Sequence, residues 1–356
     1  MTTTTRPARP APGRARGYLR IGTTVAIPVR RASVLVALAL LVLLLAAAVA
    51  TLTLGRLGVD PADLPTALTG GARGKDRFVL ERLRGPRLVT ALGTGAALGL
   101  SGALFQSVTR NPLGSPDVIG LSSGAGAGAA VVALFFPGQV PVPVGALVGA
   151  VVAMGIVYVS TGTGFRNPAR LVVAGIGVAA IGGAITQYVV YAVERDKASA
   201  LTSYVNGSLT ARSWTDAATI GVVLALVVPV TALLARRLVV GEMGDDIAEG
   251  LGSGPKKTKS VAIVLAIVLS AGAVAVAGPI AFVALTAPQI ARRLTRLSGP
   301  HLLLSSLTGA LLLVVADLCT QQVPLLDDLP VGICTMAIGG LYLGWLLVRE
   351  WRKGVL

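Results

Sequence analysis

The sequence predicts an all-α, polytopic integral membrane protein with about ten transmembrane helices. Hydrophobic residues make up 54% of its 356 residues and charged residues only 13%, and the mean hydropathy is +0.78. A soluble domain of this size carries far more charge on its surface. Several uncharged runs are long enough to cross a bilayer, since about 20 apolar residues at about 1.5 Å each match a hydrocarbon core of about 30 Å. The 44 glycines concentrate within these runs, which favours a closely packed helix bundle.

The chain begins with a basic segment. Residues 1–31 carry seven Arg and no acidic residue on a background rich in Pro, Thr, Ala and Gly. This composition cannot bury a core, so we expect a disordered tail on the cytoplasmic side. The apolar run that follows exceeds the hydrophobic region of a signal peptide and lacks a clean cleavage site, so the first span is expected to be retained. The predicted organisation is a tail at 1–31, a transmembrane domain at 32–349 and a short cytoplasmic tail at 350–356.

The uncharged runs predict ten spans. The turn at 138–143 and the break at Gly278-Pro279 divide longer apolar stretches, and the topology depends on both interruptions. The predicted spans are 33–54, 88–108, 118–137, 141–161, 171–193, 217–235, 260–278, 280–297, 302–320 and 331–348.

The distribution of positive charge supports this count. With a cytoplasmic amino end and ten spans, 21 of the 31 Lys and Arg residues lie inside and 10 outside, as the positive-inside rule requires. We therefore expect a multi-pass membrane protein with both termini cytoplasmic. Seven of the ten outer cations lie in one loop, 55–87, which needs an explanation of its own.

The sequence offers little for catalysis or ion coupling. Asp317 is the main ionisable residue inside a span, whereas ion-coupled carriers place several such groups near mid-membrane. The sequence at 70–76 resembles a Walker A nucleotide-binding motif, but it lacks a Gly at the required spacing and the Ser or Thr that holds magnesium. His301 is interpreted as an interfacial residue, and Cys319 and Cys334 as small core residues. We expect no enzyme activity, no cofactor or metal in this chain and no nucleic-acid partner.

One predicted cytoplasmic segment, 240–259, combines an acidic helical turn with a basic loop. Asp245 and Asp246 fall in the first turn, where the helix dipole favours negative charge, and Gly244 and Gly252 bound the turn. Composition alone leaves two interpretations open, a surface for a partner and an ordinary solvated loop.

Several short motifs run through the chain in a fixed order. They are Leu83-Arg84-Gly85-Pro86-Arg87, Gly102-Ala103-Leu104-Phe105-Gln106, Asn111-Pro112-Leu113-Gly114-Ser115-Pro116, Gly120-Leu121-Ser122-Ser123-Gly124-Ala125, the segment Gly244 to Gly252, Gly278-Pro279-Ile280-Ala281-Phe282-Val283, Pro288-Gln289-Ile290-Ala291-Arg292 and Leu329-Pro330-Val331-Gly332. Over residues 35–349 the chain thereby resembles permeases of the FecCD family, the membrane subunits of ABC importers for iron-siderophores, haem and cobalamin. It departs from the family pattern at Gly114, where Ala is usual, at Gln289, where His is common, and at Gln321, where some relatives carry an Arg.

The resemblance implies a type II ABC importer permease bundle that works with separate ATPase subunits, which bind ATP and magnesium. It also implies that the acidic segment forms the coupling helix that seats in the ATPase. The implied contact candidates are Gly244, Asp245, Asp246, Ala248, Glu249, Leu251 and Gly252.

The basic outer loop gains a role from the same resemblance. Related permeases use Arg at the positions of Arg84 and Arg87 to pair with Glu on an extracytoplasmic solute-binding protein, a task that suits the planar guanidinium. Snorkelling of these two side chains to lipid headgroups is the alternative. Four further cations are expected to add electrostatic steering. They are Arg73, Lys75, Arg77 and Arg82.

The expected substrate is a ferric siderophore, with haem or cobalamin as the alternative within the family. The permease is expected to pair with itself or a similar permease around a central path. Gln106, Ser122, Ser123 and Gln187 are candidates for polar groups on that path, and hydrogen bonding between helices is an equal alternative for each. Two other functions stay open: an ion-coupled secondary transporter that uses Asp317, and a membrane scaffold without transport.

Overall fold

The computed structural model describes residues 17–21, 25–55, 57–162, 168–192, 201–327 and 329–351. Ten long helices follow one another in these ranges, and each overlaps one of the ten predicted spans, which confirms the all-α class. They are α1 (Arg31–Thr53), α2 (Arg84–Thr109), α3 (Leu121–Phe135), α4 (Val142–Ser160), α5 (Pro168–Ala192), α6 (Trp214–Gly241), α7 (Pro255–Ala277), α8 (Val283–Thr295), α9 (Leu302–Gln322) and α10 (Val331–Trp351).

Shorter elements connect the long helices. The one that matters most is Asp245–Gly250, called here the loop helix, between α6 and α7. Residues 201–205 form a further helical turn before α6. The remaining short helices are Leu64–Thr66, Ala67–Gly71, Gly74–Phe78, Val79–Leu83, Pro116–Ile119 and Pro324–Leu326.

The basic amino-terminal segment contains two strands, β1 (Gly17–Ile21) and β2 (Val25–Val29), which pair antiparallel with Gly17 opposite Val29. The prediction of disorder over 1–31 does not hold for these ten residues. The two strands contain Tyr, Ile and Val, which favour strands, and the average composition of 1–31 conceals these two short apolar runs. Residues 1–16 of the predicted tail and residues 352–356 of the carboxyl-terminal one lie outside the described residues.

Not every helix is long enough to cross a membrane alone. Among the described residues, seven helices have the length and apolar composition for this, while α3 and the apolar part of α10 are shorter. Helix α8 has 13 residues, about 20 Å of helix against a core of about 30 Å. The predicted span 280–297 is therefore too long. The backbone between α7 and α8 is not helical, because Gly278 and Phe282 have φ values of +73° and +68°.

The ends of the helices fall on two opposite faces of the bundle. On the first, the Arg84 guanidinium donates to the carbonyl of Thr51 at 2.7 Å, and the Trp214 indole donates to the carbonyl of Glu81 at 2.8 Å. These bonds bring together the end of α1 and the starts of α2 and α6. This face is called the Arg87 face, after the ion pair described below.

The opposite face, called the Asp245 face, carries the loop helix. Here the Gln289 amide of α8 donates to the carbonyl of Pro112 at 2.7 Å, and the Arg293 guanidinium lies 5.4 Å from the ring centroid of Trp345 in α10. Near the start of α1, Leu40 packs with Ala291 of α8. Helix α1 therefore begins, and α10 ends, at the same face, as ten crossings require.

Helix α2 is the centre of the bundle. Most of its side chains are buried, and it packs against α6, α7, α8 and α9. Helix α3 packs against α4 and α5 as a second group. Helix α2 therefore lacks the broad polar face of a surface helix, because most of its circumference is covered by other helices.

Glycine makes these contacts possible. A Cβ placed on Gly99 of α2 would lie 2.1 Å from the carbonyl oxygen of Ser305 in α9, and one on Gly309 would lie 2.2 Å from that of Gly95. The same pattern joins α3 to α4, where a Cβ on Gly128 would lie 2.1 Å from the Gly145 oxygen. No side chain fits at such distances, so the glycines let backbones touch where lipid supplies no hydrophobic drive.

We predict that Gly99→Ala destabilises the protein by about 1 to 3 kcal/mol, because the added methyl must push α9 away from α2. Thermal unfolding in detergent, followed by circular dichroism, measures the effect. Gly155→Ala is the matched control: this glycine also lies within a helix, and a Cβ there would meet nothing within 4 Å. Equal unfolding temperatures for the two variants would contradict this account of the packing.

Candidate functional site

Arg84 is part of the internal structure of the Arg87 face. Its side chain is buried, and the guanidinium donates to the carbonyls of Thr51 and Leu54 at the end of α1. These are carbonyls that the helix end leaves without an intrahelical partner. Arg84 thus caps α1. The docking role predicted for it remains a prediction.

Arg87 is held by Asp317. Its Nε donates to Asp317 Oδ1 at 3.0 Å and its Nη2 to the same oxygen at 2.7 Å, while the Gln321 amide donates to Asp317 Oδ2 at 2.7 Å. The Asp317 side chain is 2% exposed and that of Arg87 21%. A planar guanidinium against a carboxylate is a strong, geometrically specific arrangement. It joins the first turn of α2 to α9.

This pairing bears on the alternative of an ion-coupled transporter. Asp317 lies five residues before the end of α9, about 8 Å along the axis, and therefore nearer to the end of this helix than to its middle. Its two oxygens already accept bonds from Arg87 and Gln321. A coupling carboxylate must exchange a proton or an ion during transport, and this one is committed to a structural pair.

We predict that Arg87→Met lowers the free energy of unfolding by about 2 to 3 kcal/mol, since it leaves the buried carboxylate of Asp317 without its cation. Arg77→Met is the control, because the Arg77–Glu81 pair is mostly exposed and such pairs contribute little. The double variant Arg87→Met/Asp317→Leu should recover most of the loss in a thermal unfolding experiment. A single variant as stable as the wild type would show that the pair is not structural.

The remaining cations of the basic loop are spread over its surface. The side chains of Arg73, Lys75, Arg77 and Arg82 are all exposed. The last three lie in the short helices between α1 and α2, and Arg73 directly precedes one of these helices. Trp214 fastens this loop to the start of α6 through its bond to the Glu81 carbonyl. Helix α6 itself begins with a capping box, in which Asp216 accepts from the backbone N–H of Ser213 at 2.8 Å.

The loop helix lies on the Asp245 face, between the end of α6 and the start of α7. It begins after Gly244, whose φ is +121°, and it is followed by Gly252 and Gly254 with φ values of +68° and +56°. A Cβ at any of these glycines would meet nothing within 4 Å. They are therefore needed for the backbone turns and not for space.

The loop helix has a buried side and an exposed side. Ala248 is fully buried, and its carbonyl accepts from the backbone N–H of Ser253 at 2.9 Å. Ala248 packs within its own chain, so in this arrangement it has no surface to offer an ATPase. The exposed side chains include the predicted contacts Asp246, Glu249 and Leu251.

Two further exposed residues were missed by the sequence analysis. Met243 and Ile247 are 62% and 48% exposed, and they lie beside the exposed acidic residues. Large apolar side chains in a polar loop are a signal that the sequence contained, because partner surfaces commonly combine an apolar centre with charged groups. The exposed side of the loop helix thus mixes apolar and acidic groups.

Asp245 differs from Asp246 in its bonds. Lys259 Nζ donates to Asp245 Oδ2 at 2.6 Å, and Arg110 donates to Oδ1. The hydrogen bond from Lys259, with both nearby cations, lowers the pKa of the Asp245 carboxyl below its ordinary value. A lowered pKa means that the pairing is fully present near neutral pH and is lost only as the pH falls through that lowered value. Asp245 is therefore ionised under physiological conditions.

The four path candidates lie in different surroundings. Gln106 is buried and bonded on both sides, since its amide donates to the Leu285 carbonyl at 3.0 Å and its oxygen accepts from Arg292. Ser122 donates to Asp117. Ser123 lies where α3 meets α5, because a Cβ on Gly182 would lie 2.7 Å from its carbonyl oxygen. These three take part in contacts within the chain.

Gln187 is the exception. It lies on α5 with an exposed side chain, next to Tyr188, which is 67% exposed, and near Tyr191, which is 92% exposed. Polar side chains on membrane helices usually face protein or a water-filled cavity, because lipid cannot satisfy them. Of the four candidates, Gln187 is thus the one whose surface is open to a path or to a second copy.

The family-type motifs occupy structural positions. At the Arg87 face, the carbonyl of Gly207 accepts from the backbone N–H of Gly332 at 3.0 Å. A Cβ on Gly278 would lie 2.0 Å from the carbonyl oxygen of Tyr204. Residues 204–208 are thereby clamped between the Gly278-Pro279 break and the start of α10, just after Pro330.

At the Asp245 face, Asn111 accepts from the backbone N–H of Leu113 at 2.9 Å, and Pro116 opens the short helix before α3. Gly120, with a φ of +86°, starts α3. Gly124 packs on Gly149 of α4. In α8, Pro288 is buried within the helix.

Comparison with known proteins shows which family these motifs belong to. The model of the FecCD transport family matches residues 40–349. The chain belongs to the FecCD transport family. It is a transport permease subunit and not an enzyme, since ATP hydrolysis in such ABC importers takes place on a separate subunit.

Two relatives and one solved structure illustrate the likeness. The ferric enterobactin transport system permease protein FepG of Escherichia coli is 39% identical over 84% of this chain and 91% of its own length. The Fe(3+)-citrate import system permease protein YfmE of Bacillus subtilis is 35% identical over 86% of this chain and 92% of its own. A structure described as an inward-facing conformation of a metal-chelate type ABC transporter covers 88% of this chain and 99% of its own with a TM-score of 0.77. Because the two sequences are only 24% identical, this similarity shows a shared fold and is no evidence of a shared function.

Proposed function

We propose that this chain is the membrane permease of an ATP-driven importer that moves a ferric siderophore or a similar ferric chelate into the bacterial cell. The relatives support the substrate class, since FepG is named for ferric enterobactin and YfmE for ferric citrate. The observation that carries the proposal is the loop helix, with exposed Asp246 and Glu249 beside exposed Ile247 and Leu251.

The Asp245 face is proposed to be cytoplasmic. It carries most of the described Lys and Arg residues of the helix ends, in agreement with the positive-inside rule. An ATPase subunit would bind the exposed side of the loop helix through the apolar side chains, while the acidic groups would pair with cations on its rim. Both ends of the chain then lie in the cytoplasm.

The Arg87 face is proposed to meet an extracytoplasmic binding protein. Exposed cations in the loop between α1 and α2 would attract acidic groups on that protein and raise its association rate. Arg87, with 21% of its side chain exposed, can offer a further contact at the edge of its pair with Asp317. Arg84 would affect docking only through its hold on α1, because its guanidinium is already bonded to the carbonyls of Thr51 and Leu54.

A second permease copy, identical or similar, is proposed to complete the path. Among the described residues, helix α5 has a broad exposed face that includes Ile181 and Gln187. Two such faces brought together would enclose a path with an occasional polar group. ATP binding on the ATPase subunits would then shift the bundle between its outward-open and inward-open forms.

The test is uptake of ⁵⁵Fe into proteoliposomes that hold the permease with its ATPase and binding protein. Ferric enterobactin, ferric citrate and a ferric hydroxamate would be offered in turn, with haem and labelled cobalamin as alternatives. We predict uptake of one ferric chelate, reduced at least about tenfold by Asp246→Lys/Glu249→Lys, because reversed charge opposes ATPase binding.

Asp60→Lys/Asp63→Lys is the matched control, since both residues are exposed acids on the Arg87 face. It should leave the affinity for the ATPase subunit unchanged. Uptake of haem or cobalamin in place of every ferric chelate would reassign the substrate. Normal uptake by the Asp246 and Glu249 double variant would disprove the coupling surface.

A further inference from the structure

The carboxylate of Asp245 is bound by cations from two different helices. Arg110, directly after the last residue of α2, donates to Oδ1, and Lys259 of α7 donates to Oδ2 at 2.6 Å. The guanidinium of Arg110 also donates to the carbonyl of Gly241, the last residue of α6, at 2.8 Å. One carboxylate and one guanidinium therefore connect the loop helix with α2, α6 and α7.

The backbone at Arg110 is specialised for this position. Its φ of 49° and ψ of 30° place it in the left-handed region at the end of α2, which is uncommon for a residue other than Gly. Immediately afterwards, Asn111 fixes the turn through its bond to the Leu113 N–H. The side chain of Arg110 thus leaves the end of the central helix from a defined backbone.

We infer that Asp245 is a positioning residue that clasps the loop helix to α2 and α7, so that displacement of the loop helix by an ATPase moves both helices together. The inference rests on the proposed function for its transport consequences, although the clasp itself does not. It gives Asp245 and its neighbour Asp246 different roles. The side chain of Asp246 makes no bond within the described part of the chain. Asp246 is left to contact a partner, while Asp245 transmits the movement.

The exposure of the three side chains fits a transmitting role. Arg110, Asp245 and Lys259 are 39%, 49% and 32% exposed, and ion pairs of this exposure contribute little to stability. The fold should therefore survive their loss. Coupling between two sites does not need a strong bond between them. A typical coupling free energy changes the affinity at one site by about 5-fold to 150-fold when the other site is occupied. Helix α2 can receive such a movement, because it packs against α6, α7, α8 and α9.

The clasp can be tested without transport. Spin labels at Leu113 and Leu251, both exposed, would report the distance between the end of α2 and the loop helix by pulsed electron paramagnetic resonance. The free cysteines Cys319 and Cys334 are first replaced by Ser and Ala. We expect one narrow distance in the parent protein, a distribution at least about twice as wide in Asp245→Asn and in Arg110→Gln, and no change in Asp246→Asn. Equal widths in all four proteins would overturn the inference.

The transport consequence is measured as ⁵⁵Fe taken up per ATP hydrolysed in proteoliposomes, with ferric enterobactin, ferric citrate and a ferric hydroxamate as probes. Asp245→Asn should lower this ratio at least about fivefold while the affinity for the ATPase subunit stays within about twofold. The Asp245→Asn/Arg110→Gln double variant should be no worse than either single variant, and Asp245→Glu should restore the ratio. Asp246→Asn should instead weaken ATPase binding.

Additive losses in the double variant, or weakened ATPase binding in Asp245→Asn, would disprove the clasp. If the wild type takes up no probe in the presence of ATP, the proposed function fails, and the spin-label distances still decide whether the clasp exists.

Discussion

The close approach of helix backbones is the constraint on which this structure depends. Lipid tails are as apolar as the side chains they touch, so helices must associate through tight packing. In this chain the packing places carbonyl oxygens of α9 where the side chains of two α2 residues would otherwise begin, at Gly95 and Gly99. The same arrangement joins α3 to α4. A bundle built in this way has close backbone contacts between α2 and α9 and between α3 and α4.

Such packing leaves little space for charged side chains between the helices, and the charged groups of the described residues lie near the two faces. At the Arg87 face, Arg87 and Asp317 join α2 to α9, and Arg84 caps α1. At the Asp245 face, Arg110 and Lys259 hold Asp245, while Asp246 and Glu249 stay exposed. Each face thus contains a buried or bonded set of polar groups that holds helices together and a second set of exposed charged groups. The central helix α2 carries or adjoins the bonded Arg at both ends, Arg87 and Arg110.

The ten helices could be predicted because long uncharged runs are a strong local signal. The length of α8 could not, since its start depends on the packing of Gly278 against Tyr204, more than 70 residues earlier in the chain. The loop helix and its bounding glycines were also predictable. The division between Asp245 and Asp246 was not, because adjacent acids look alike in sequence and their partners Arg110 and Lys259 come from other helices. Arg84 and Gln106 show the same limit, as their bonds to Thr51 and Leu285 are long-range.

The central claim is that ATP hydrolysed on a partner subunit, and no ion gradient, drives transport through this bundle. The most direct test compares two conditions in proteoliposomes that contain the permease, its ATPase and its binding protein. One supplies magnesium and ATP with every ion gradient collapsed, and the other supplies a proton gradient without ATP. We predict accumulation of a ⁵⁵Fe chelate in the first condition and none in the second. Accumulation driven by the proton gradient alone would contradict the central claim and would return Asp317 to consideration as a coupling group.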